Sequence, residues 1–569
     1  MARKVLIMDF LISNIEFENS KKIGDLYYDG QCVKEVNNLL KVRESSDWRF
    51  FGKYADAIGE VDPESPIEYD DFFFCLDYDA NKKEIVFQTD IIGYNSPYCY
   101  FANGVFAMSD DFYALVKTLN KVVDLEMDEQ KAREFLLYSE PFICETYIRN
   151  LYREEAAVIC RYNLESNNIK KHTYNDFKMC GVVKDKKQAA DSLYCALDTY
   201  FKNHHEEDTK YAIGMSGGLD SRVGAFFANK NGYEINPIFI GRKNNILGMM
   251  TNDCKRAEEV NKHLKLKPIK YFDPRGIALS EKLEFEAQNA PIVADNIAQN
   301  MGTLEGIDCL INGIIGGEAL GALVTDDMKG MSSRKLAYYM INRVSNIPKY
   351  RTRFLRRIYQ LLPNDIMERL CCFDEKLVDD VLTPEERNDF LERNISWVEE
   401  QKNRGLDNIN IYHKYFYYRF ASLSKYAYYP SFNNTCPSIA TYLNPAFIKE
   451  MLQWDSELLR DKQVQKELLK QLEGLSSIRS QTVEATIDAR SNDTRLKRIG
   501  RIIERFVRGG AMVYTQWYAP KDIKKEMRTL RQKSKVLSDL VIRDDWYKAD
   551  HHFAFGFMKL LEFQRQISN

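Results

Sequence analysis

The stretch that decides the fold reads Tyr211-Ala212-Ile213-Gly214-Met215-Ser216-Gly217-Gly218-Leu219-Asp220-Ser221. A short apolar run suited to a buried strand gives way to paired glycines, and a helical pattern starts straight after them. Glycines at that place let the backbone come close to a ligand. The N–H groups at the start of the following helix point outward and favour an anion, phosphate above all. Ser216 and Ser221 add hydroxyl donors for phosphate oxygens. Asp220 does not suit phosphate directly, because like charges repel. It suits Mg²⁺, which takes carboxylate and phosphate oxygens together. A ligand-free tight turn would also use the glycines, but the full six-residue string in a strand–helix setting favours the ligand. The G-K-[ST] ending of a Walker loop is absent.

Working outward, residues 187–201 form an amphipathic helix pattern, 221–231 a second helix, 235–240 a strand, 252–264 a helix and 268–272 a strand. A later strand, Asp308-Cys309-Leu310-Ile311-Asn312, runs into Gly313-Ile314-Ile315-Gly316-Gly317-Glu318. Strands alternating with helices of this length imply βαβ units and a parallel sheet. The first 175 residues instead read as β-rich. Phe72-Phe73-Phe74-Cys75-Leu76 and Glu84-Ile85-Val86-Phe87-Gln88 are joined across Asp79-Ala80-Asn81-Lys82 as a hairpin, and Gly104 to Ser109 is a further strand, with a helix from Asp110 through Leu119. Beyond about residue 330 the chain looks mainly helical, and no internal repeat is visible.

The chain has 569 residues, 45% hydrophobic and 29% charged, which suits a globular protein of two or three domains with a sizeable core. A net charge of -3 gives no global field toward nucleic acid. No apolar run is long enough to span a membrane, and the N-terminal residues lack the pattern of a signal peptide. The 12 cysteines are scattered except for Cys371-Cys372, without C-x-x-C spacing, which reads as free thiols in a reducing cytoplasm. The seven histidines also lack metal-ligand spacing.

With these residues in hand, Ser216-Gly217-Gly218-Leu219-Asp220-Ser221 resembles the ATP-pyrophosphatase signature of the asparagine synthetase family. The likeness continues through Thr89-Asp90-Ile91-Ile92-Gly93, Pro97-Tyr98-Cys99-Tyr100 and Phe106-Ala107-Met108-Ser109 near Asp77, and through Glu145-Thr146-Tyr147-Ile148-Arg149-Asn150-Leu151. These are similar to the family's N-terminal glutaminase-type domain. Asn312-Gly313 through Gly321 sits where the family has its second nucleotide loop. Tyr442-Leu443-Asn444-Pro445-Ala446-Phe447-Ile448 resembles a late segment that normally carries an aspartate, and Lys466 and Lys470 match a basic pair after it.

The resemblance implies an α+β N-terminal sandwich, Ntn-hydrolase-like, over residues 1–178. It implies an α/β parallel-sheet domain, adenine nucleotide α-hydrolase-like with a helical C-terminal extension, over 179–569. ATP would be bound by Met215, Ser216, Gly217, Gly218, Asp220, Ser221, Ile240 and Gly313, and Mg²⁺ by Asp220 and Glu318. Glu318, Lys466 and Arg479 are the candidate catalytic residues. The implied activity is adenylation of a small-molecule or peptide carboxylate with release of pyrophosphate, followed by amide formation with ammonia or a substrate amine. A homodimer is compatible with the sequence, which does not fix the oligomeric state.

Three positions depart from the family pattern. Ala2 stands where the family's glutaminases expose a cysteine nucleophile, so no glutamine hydrolysis is expected; β-lactam synthetases and lasso-peptide macrocyclases share this loss and use an amine on the substrate. In the second loop, ungapped alignment puts Ile314, Gly317 and Glu318 where a glutamate and an adjacent aspartate and glutamate are usual. Glu318 either replaces the missing carboxylate or pairs locally. Gln481 stands two residues after Arg479 where the family has a lysine, leaving Arg479, Lys466 or Lys470 as substitutes. Asp253 reads as a cap for its helix. The basic runs at 351–357 and 495–508 read as amphipathic or solvated faces. A non-catalytic nucleotide- or partner-binding protein is the competing reading of these substitutions.

Overall fold

A computed structural model describes residues 10–45, 60–62, 64–67, 71–138, 142–241, 243–244, 248–273, 278–289, 306–321, 324, 328–344, 381–423, 438–478 and 551–568, with a few isolated positions between 525 and 533. Ala2, the basic runs at 351–357 and 495–508, Cys371-Cys372, Arg479 and Gln481 lie outside the described residues.

The N-terminal region holds two antiparallel sheets. One runs in the order β10 (Leu151–Arg153), β8 (Tyr98–Ala102), β9 (Val105–Ser109), β1 (Leu11–Ser13), β3 (Leu26–Asp29), β2 (Lys21–Ile23). The other runs β12 (Asn168–Thr173), β11 (Val158–Asn163), β7 (Glu84–Thr89), β6 (Phe73–Asp79), β5 (Leu39–Ser45), β4 (Val33–Val36). Strand alternation explains the layering. Phe74, Leu76 and Tyr78 of β6 face inward with Phe87, Phe106 and Met108 to fill the space between the sheets. Phe73 and Cys75 face out, into a smaller cluster with Val86 and Ile159. The outer face of the first sheet, through Leu11, Tyr98, Tyr100 and Ala107, is covered by α1 (Phe112–Leu119) and α2 (Glu129–Tyr138). The expected hairpin is present, with Phe74 to Asp79 paired in antiparallel register to Thr89 to Glu84.

After α3 (Lys186–Asn203) the pattern changes to a five-stranded parallel sheet, ordered β15 (Lys270–Phe272), β14 (Ile235–Ile240), β13 (Tyr211–Gly214), β16 (Cys309–Asn312), β17 (Ser438–Ala440). Tyr211, Ala212 and Ile213 are all buried, as a strand covered on both faces requires. The covering helices include α4 (Leu219–Lys230) and α5 (Asn252–His263), and α6 (Leu279–Asn289) follows β15. The short α7 (Gly316–Ala319) follows β16, and then come α8 (Ser333–Val344), α9 (Pro384–Asn403), α10 (Asn408–Leu423), α11 (Pro445–Leu452) and α12 (Gln463–Gln471). The last helix, α13 (His551–Ser568), does not extend this region alone. It packs on α6 and also on α1 and α2, where Phe563 meets Tyr147 at a ring-centroid distance of 5.6 Å. The described residues thus comprise an antiparallel α+β region followed by an α/β region, joined through one continuous core.

Strand β17 is the element that the sequence pattern hides. It is three residues long and lies in a part of the sequence that reads as mainly helical, so neither length nor alternation announces it.

Candidate functional site

In a parallel sheet all strand ends of one sense lie on one edge. The order β15-β14-β13-β16-β17 means that the chain winds outward from β13 on one side, then restarts on the other with β16. The loops after β13 and β16 therefore diverge and leave a crevice between them, the place where open α/β sheets take ligands. The glycine loop stands at that switch point.

Within the loop, Met215 is buried and donates its N–H to the Ile238 carbonyl at 2.8 Å. The Ser216 N–H donates to Ser221 Oγ at 3.2 Å, the two serine hydroxyls lie 3.1 Å apart, and the Gly218 N–H donates to Ser216 Oγ at 3.2 Å. Gly218 starts α4 from extended backbone, with no side chain capping the helix. The Gly217 N–H donates to Asp253 Oδ1. A Cβ at Gly217 would lie 2.9 Å from that oxygen and 3.0 Å from Arg256 Cβ, so a side chain there would force the loop off its partner.

Asp253 is not the cap of its helix. Thr251 is, with its hydroxyl accepting from the Cys254 N–H at 3.3 Å, which leaves the Asp253 carboxylate free to turn to the loop. Burial pushes the Asp253 carboxyl above the ordinary carboxylate range, and the Gly217 N–H only partly offsets this.

Arg222, without a role in the sequence reading, lies under the loop and is fully buried. Its Nε donates to the Gly218 carbonyl at 3.1 Å and Nη2 to the Gly217 carbonyl at 3.3 Å. Its Nη1 reaches the Leu475 and Ile478 carbonyls at 3.1 and 2.8 Å. Burial lowers its pKa to about 10, against the opposing pull of Asp220. It remains charged at neutral pH, fixes the loop to the segment after α12, and sets a positive charge beneath the loop. Its signal in the sequence was position alone: one helical turn after Gly218.

Asp220 sits in the first turn of α4, and Gln465 of α12 donates its Nε2 to Asp220 Oδ1. Gln465 is fully buried. Tyr442 lies beside them, also fully buried, with the Gln465 amide as a hydrogen-bonding neighbour of its phenol. Burial, followed by the charge of Asp220, drives its phenol well above the ordinary range.

The second loop closes onto the first. A Cβ on Gly313 would lie 3.1 Å from the Asp220 carbonyl carbon, and one on Gly316 would lie 2.4 Å from the Tyr442 ring and 2.9 Å from Asp220 Cβ. Between them Ile315 has φ 60°, left-handed backbone that a β-branched residue adopts only under strain. Glu318 is half-buried on α7, which packs against α4. Among the described residues no group of three or more His, Cys, Asp or Glu side chains is placed to hold a metal ion, so Asp220 and Glu318 belong to no larger carboxylate cluster.

The expected residues thus sort by place. Met215, Ser216, Gly217, Gly218, Asp220, Ser221 and Gly313 come together at the switch point, and Ile240 ends the adjoining strand β14. Lys466 is half-buried on α12, next in sequence to Gln465. Lys470 is exposed and pairs with Glu467 at 2.9 Å. In the segment 442–448 the Asn444 side chain caps α11, accepting from the Phe447 N–H at 2.8 Å. Tyr442, Gln465 and Arg222 complete the surroundings. Gln465 had no sequence signal, being 245 positions from the aspartate that it meets. Comparison with known proteins adds no name: no family model and no curated protein matches this chain. No helix among the described residues is long and apolar enough to cross a membrane.

Proposed function

We propose that this chain is an ATP-dependent, AMP-forming amide ligase resembling the asparagine synthetase family. The observation that carries the reading is the loop Ser216 to Ser221 at the switch point of the parallel sheet, with backbone donors, two hydroxyls and one carboxylate converging there. On this reading the α/β region is adenine nucleotide α-hydrolase-like and the N-terminal sandwich is a glutaminase-like scaffold, with a boundary near residue 178. The protein would work in the cytoplasm.

The loop N–H groups and serine hydroxyls would hold the pyrophosphate portion of ATP, with Arg222 beneath them offsetting its charge. A substrate carboxylate oxygen would attack the α-phosphorus and release pyrophosphate. Ammonia or a substrate amine would then attack the acyl carbon, form the amide and release AMP. Lys466 is placed on the helix that touches Asp220, and is the candidate to steady charge during transfer. Asp220 is the carboxylate that would hold Mg²⁺, which when bound would offset charge on the phosphates being separated.

The test is exchange of labelled pyrophosphate into ATP across a panel of carboxylic acids. Exchange is expected with the right acid and is expected to vanish in Asp220→Ala. Unchanged exchange in that variant would remove Asp220 from the site. A second reading, nucleotide binding without turnover, is favoured by Gly317 standing where the resemblance expects an aspartate. Calorimetry that detects ATP binding, with no exchange on any acid, would select it.

A further inference from the structure

Three N–H groups of the glycine loop already have an acceptor within the protein. That of Ser216 donates to Ser221 Oγ at 3.2 Å, that of Gly218 to Ser216 Oγ at 3.2 Å, and that of Gly217 to Asp253 Oδ1. The first two acceptors are hydroxyls. A hydroxyl that accepts from the backbone can also donate to a phosphate oxygen, so an entering phosphate gains from it where it stands. Asp253 differs in kind. An ionised carboxylate only accepts, and its charge has the same sign as phosphate. It reaches the loop from another element, 36 positions along the chain. Arg256, on the next turn of α5, gives its Nη1 to the two carboxylate oxygens of Glu259 at 2.7 and 2.8 Å. Burial holds the Asp253 carboxyl above the ordinary range, so its charge is poorly solvated at this place.

Asp253 also has a second place to go. It lies in the first turn of α5, where the partial positive charge of a helix start favours a carboxylate. We propose that Asp253 is an internal anion of the glycine loop, which holds the Gly217 N–H while the loop is empty, yields it to phosphate, and withdraws to the start of α5. In this role it sets how tightly the loop holds pyrophosphate, and it speeds release, because the displaced carboxylate stands ready to return. The need for glycine at 217 follows from the same contact, since a Cβ there would lie 2.9 Å from Asp253 Oδ1. The role of Asp253 rests on the reading of the loop as a phosphate site.

The test is calorimetry of inorganic pyrophosphate with the full chain, without divalent cations so that no metal at Asp220 enters the comparison. Asp253→Asn keeps an oxygen for the Gly217 N–H and removes the charge. It is expected to bind pyrophosphate about tenfold more tightly than wild type. Asp253→Ala is expected to bind more tightly as well. In that variant formate should compete with pyrophosphate and bring the affinity back toward wild type, while chloride at the same ionic strength should not. Melting at or above the wild-type temperature for Asp253→Asn keeps the comparison among folded proteins. A scaffold role has the opposite signature: Asp253→Ala binds more weakly, Asp253→Asn restores binding, and formate strengthens it in the alanine variant. That pattern, or an affinity unchanged in both variants, overturns the internal anion and leaves the loop a phosphate site. No pyrophosphate binding by wild type or by either variant overturns the phosphate reading itself, and the role of Asp253 with it.

Discussion

Two aspartates at the ends of two strands show how a scaffold turn differs from a site. Asp90 follows β7 in the antiparallel region and is almost wholly buried. It is served by its own turn: Oδ1 accepts from the N–H groups of Ile92 and Tyr94 at 3.1 and 2.9 Å, and Oδ2 from that of Asn95 at 2.9 Å. Asp220 follows β13 in the parallel region and is half-buried. Its hydrogen-bond partner Gln465 is borrowed from a helix far along the chain, and the buried Tyr442 phenol stands beside that amide. Gly217 repeats the pattern, its N–H satisfied by Asp253 from another element. Local turns close their own hydrogen bonds. The switch-point loop closes part of its hydrogen bonding within itself, through Ser216 and Ser221, and draws the rest from side chains of other elements.

The largest expected effect breaks the first half of this contrast. Asp90→Ala leaves three N–H groups without their acceptor and should cost about 3 kcal/mol or more of stability, read by urea unfolding. Asp220→Asn should cost less than about 1 kcal/mol in the same measurement, since Asn can still accept from Gln465. Its loss should appear in pyrophosphate exchange, lowered by about a hundredfold or more if the carboxylate is essential. Equal stability losses would mean that Asp220 is a scaffold residue like Asp90.

The next effect tests how tightly the two loops are fitted. Gly316→Ala puts a methyl group into the Tyr442 ring and close to Asp220 Cβ. Overpacking of this kind costs about 1–3 kcal/mol. The variant should also lose cation and nucleotide binding, because Tyr442 and Asp220 must shift together. Wild-type melting and binding in this variant would show that the second loop does not bear on the site.

How much of this was legible in the sequence follows the same contrast. The hairpin across 79–82, the parallel strands of the βαβ units and the glycine loop were readable because each depends on spacing within about a dozen residues. Short apolar runs mark Phe72 to Leu76 and Tyr211 to Ile213, although which of the residues 73–78 face the space between the sheets is set by the fold. Contacts that join distant segments left no such trace. Gln465 looks like any polar residue of an amphipathic helix until α12 is set against α4. Asp253 reads as a helix cap because nothing local says that Thr251 already fills that place. The three residues of β17 become a strand only beside β16, where Leu310 to Asn312 pair with Ser438 to Ala440. The packing of α13 onto α1 and α2 is likewise a long-range choice among many apolar faces.

The smallest effect concerns Asp253, and its sign separates the two kinds of aspartate. Burial raises the Asp253 carboxyl in the folded state above its unfolded value. A carboxyl so raised contributes stability while it is protonated, below the unfolded carboxylate range near pH 4. That contribution is lost as the pH climbs through the raised folded value, because the native state then holds a poorly solvated charge. Asp253→Asn removes the charge and keeps an oxygen to accept from the Gly217 N–H. The variant should therefore be more stable than wild type at pH 7, by about 1 kcal/mol or less, with the gain shrinking toward zero as the pH falls into the carboxylate range. Urea unfolding at pH 7 and at about pH 4 checks both points. A gain that does not vary with pH would show that charge is not its source. A loss at pH 7 would show that the Gly217 N–H depends on the full carboxylate, and would place Asp253 with Asp90 among the aspartates that hold the fold together.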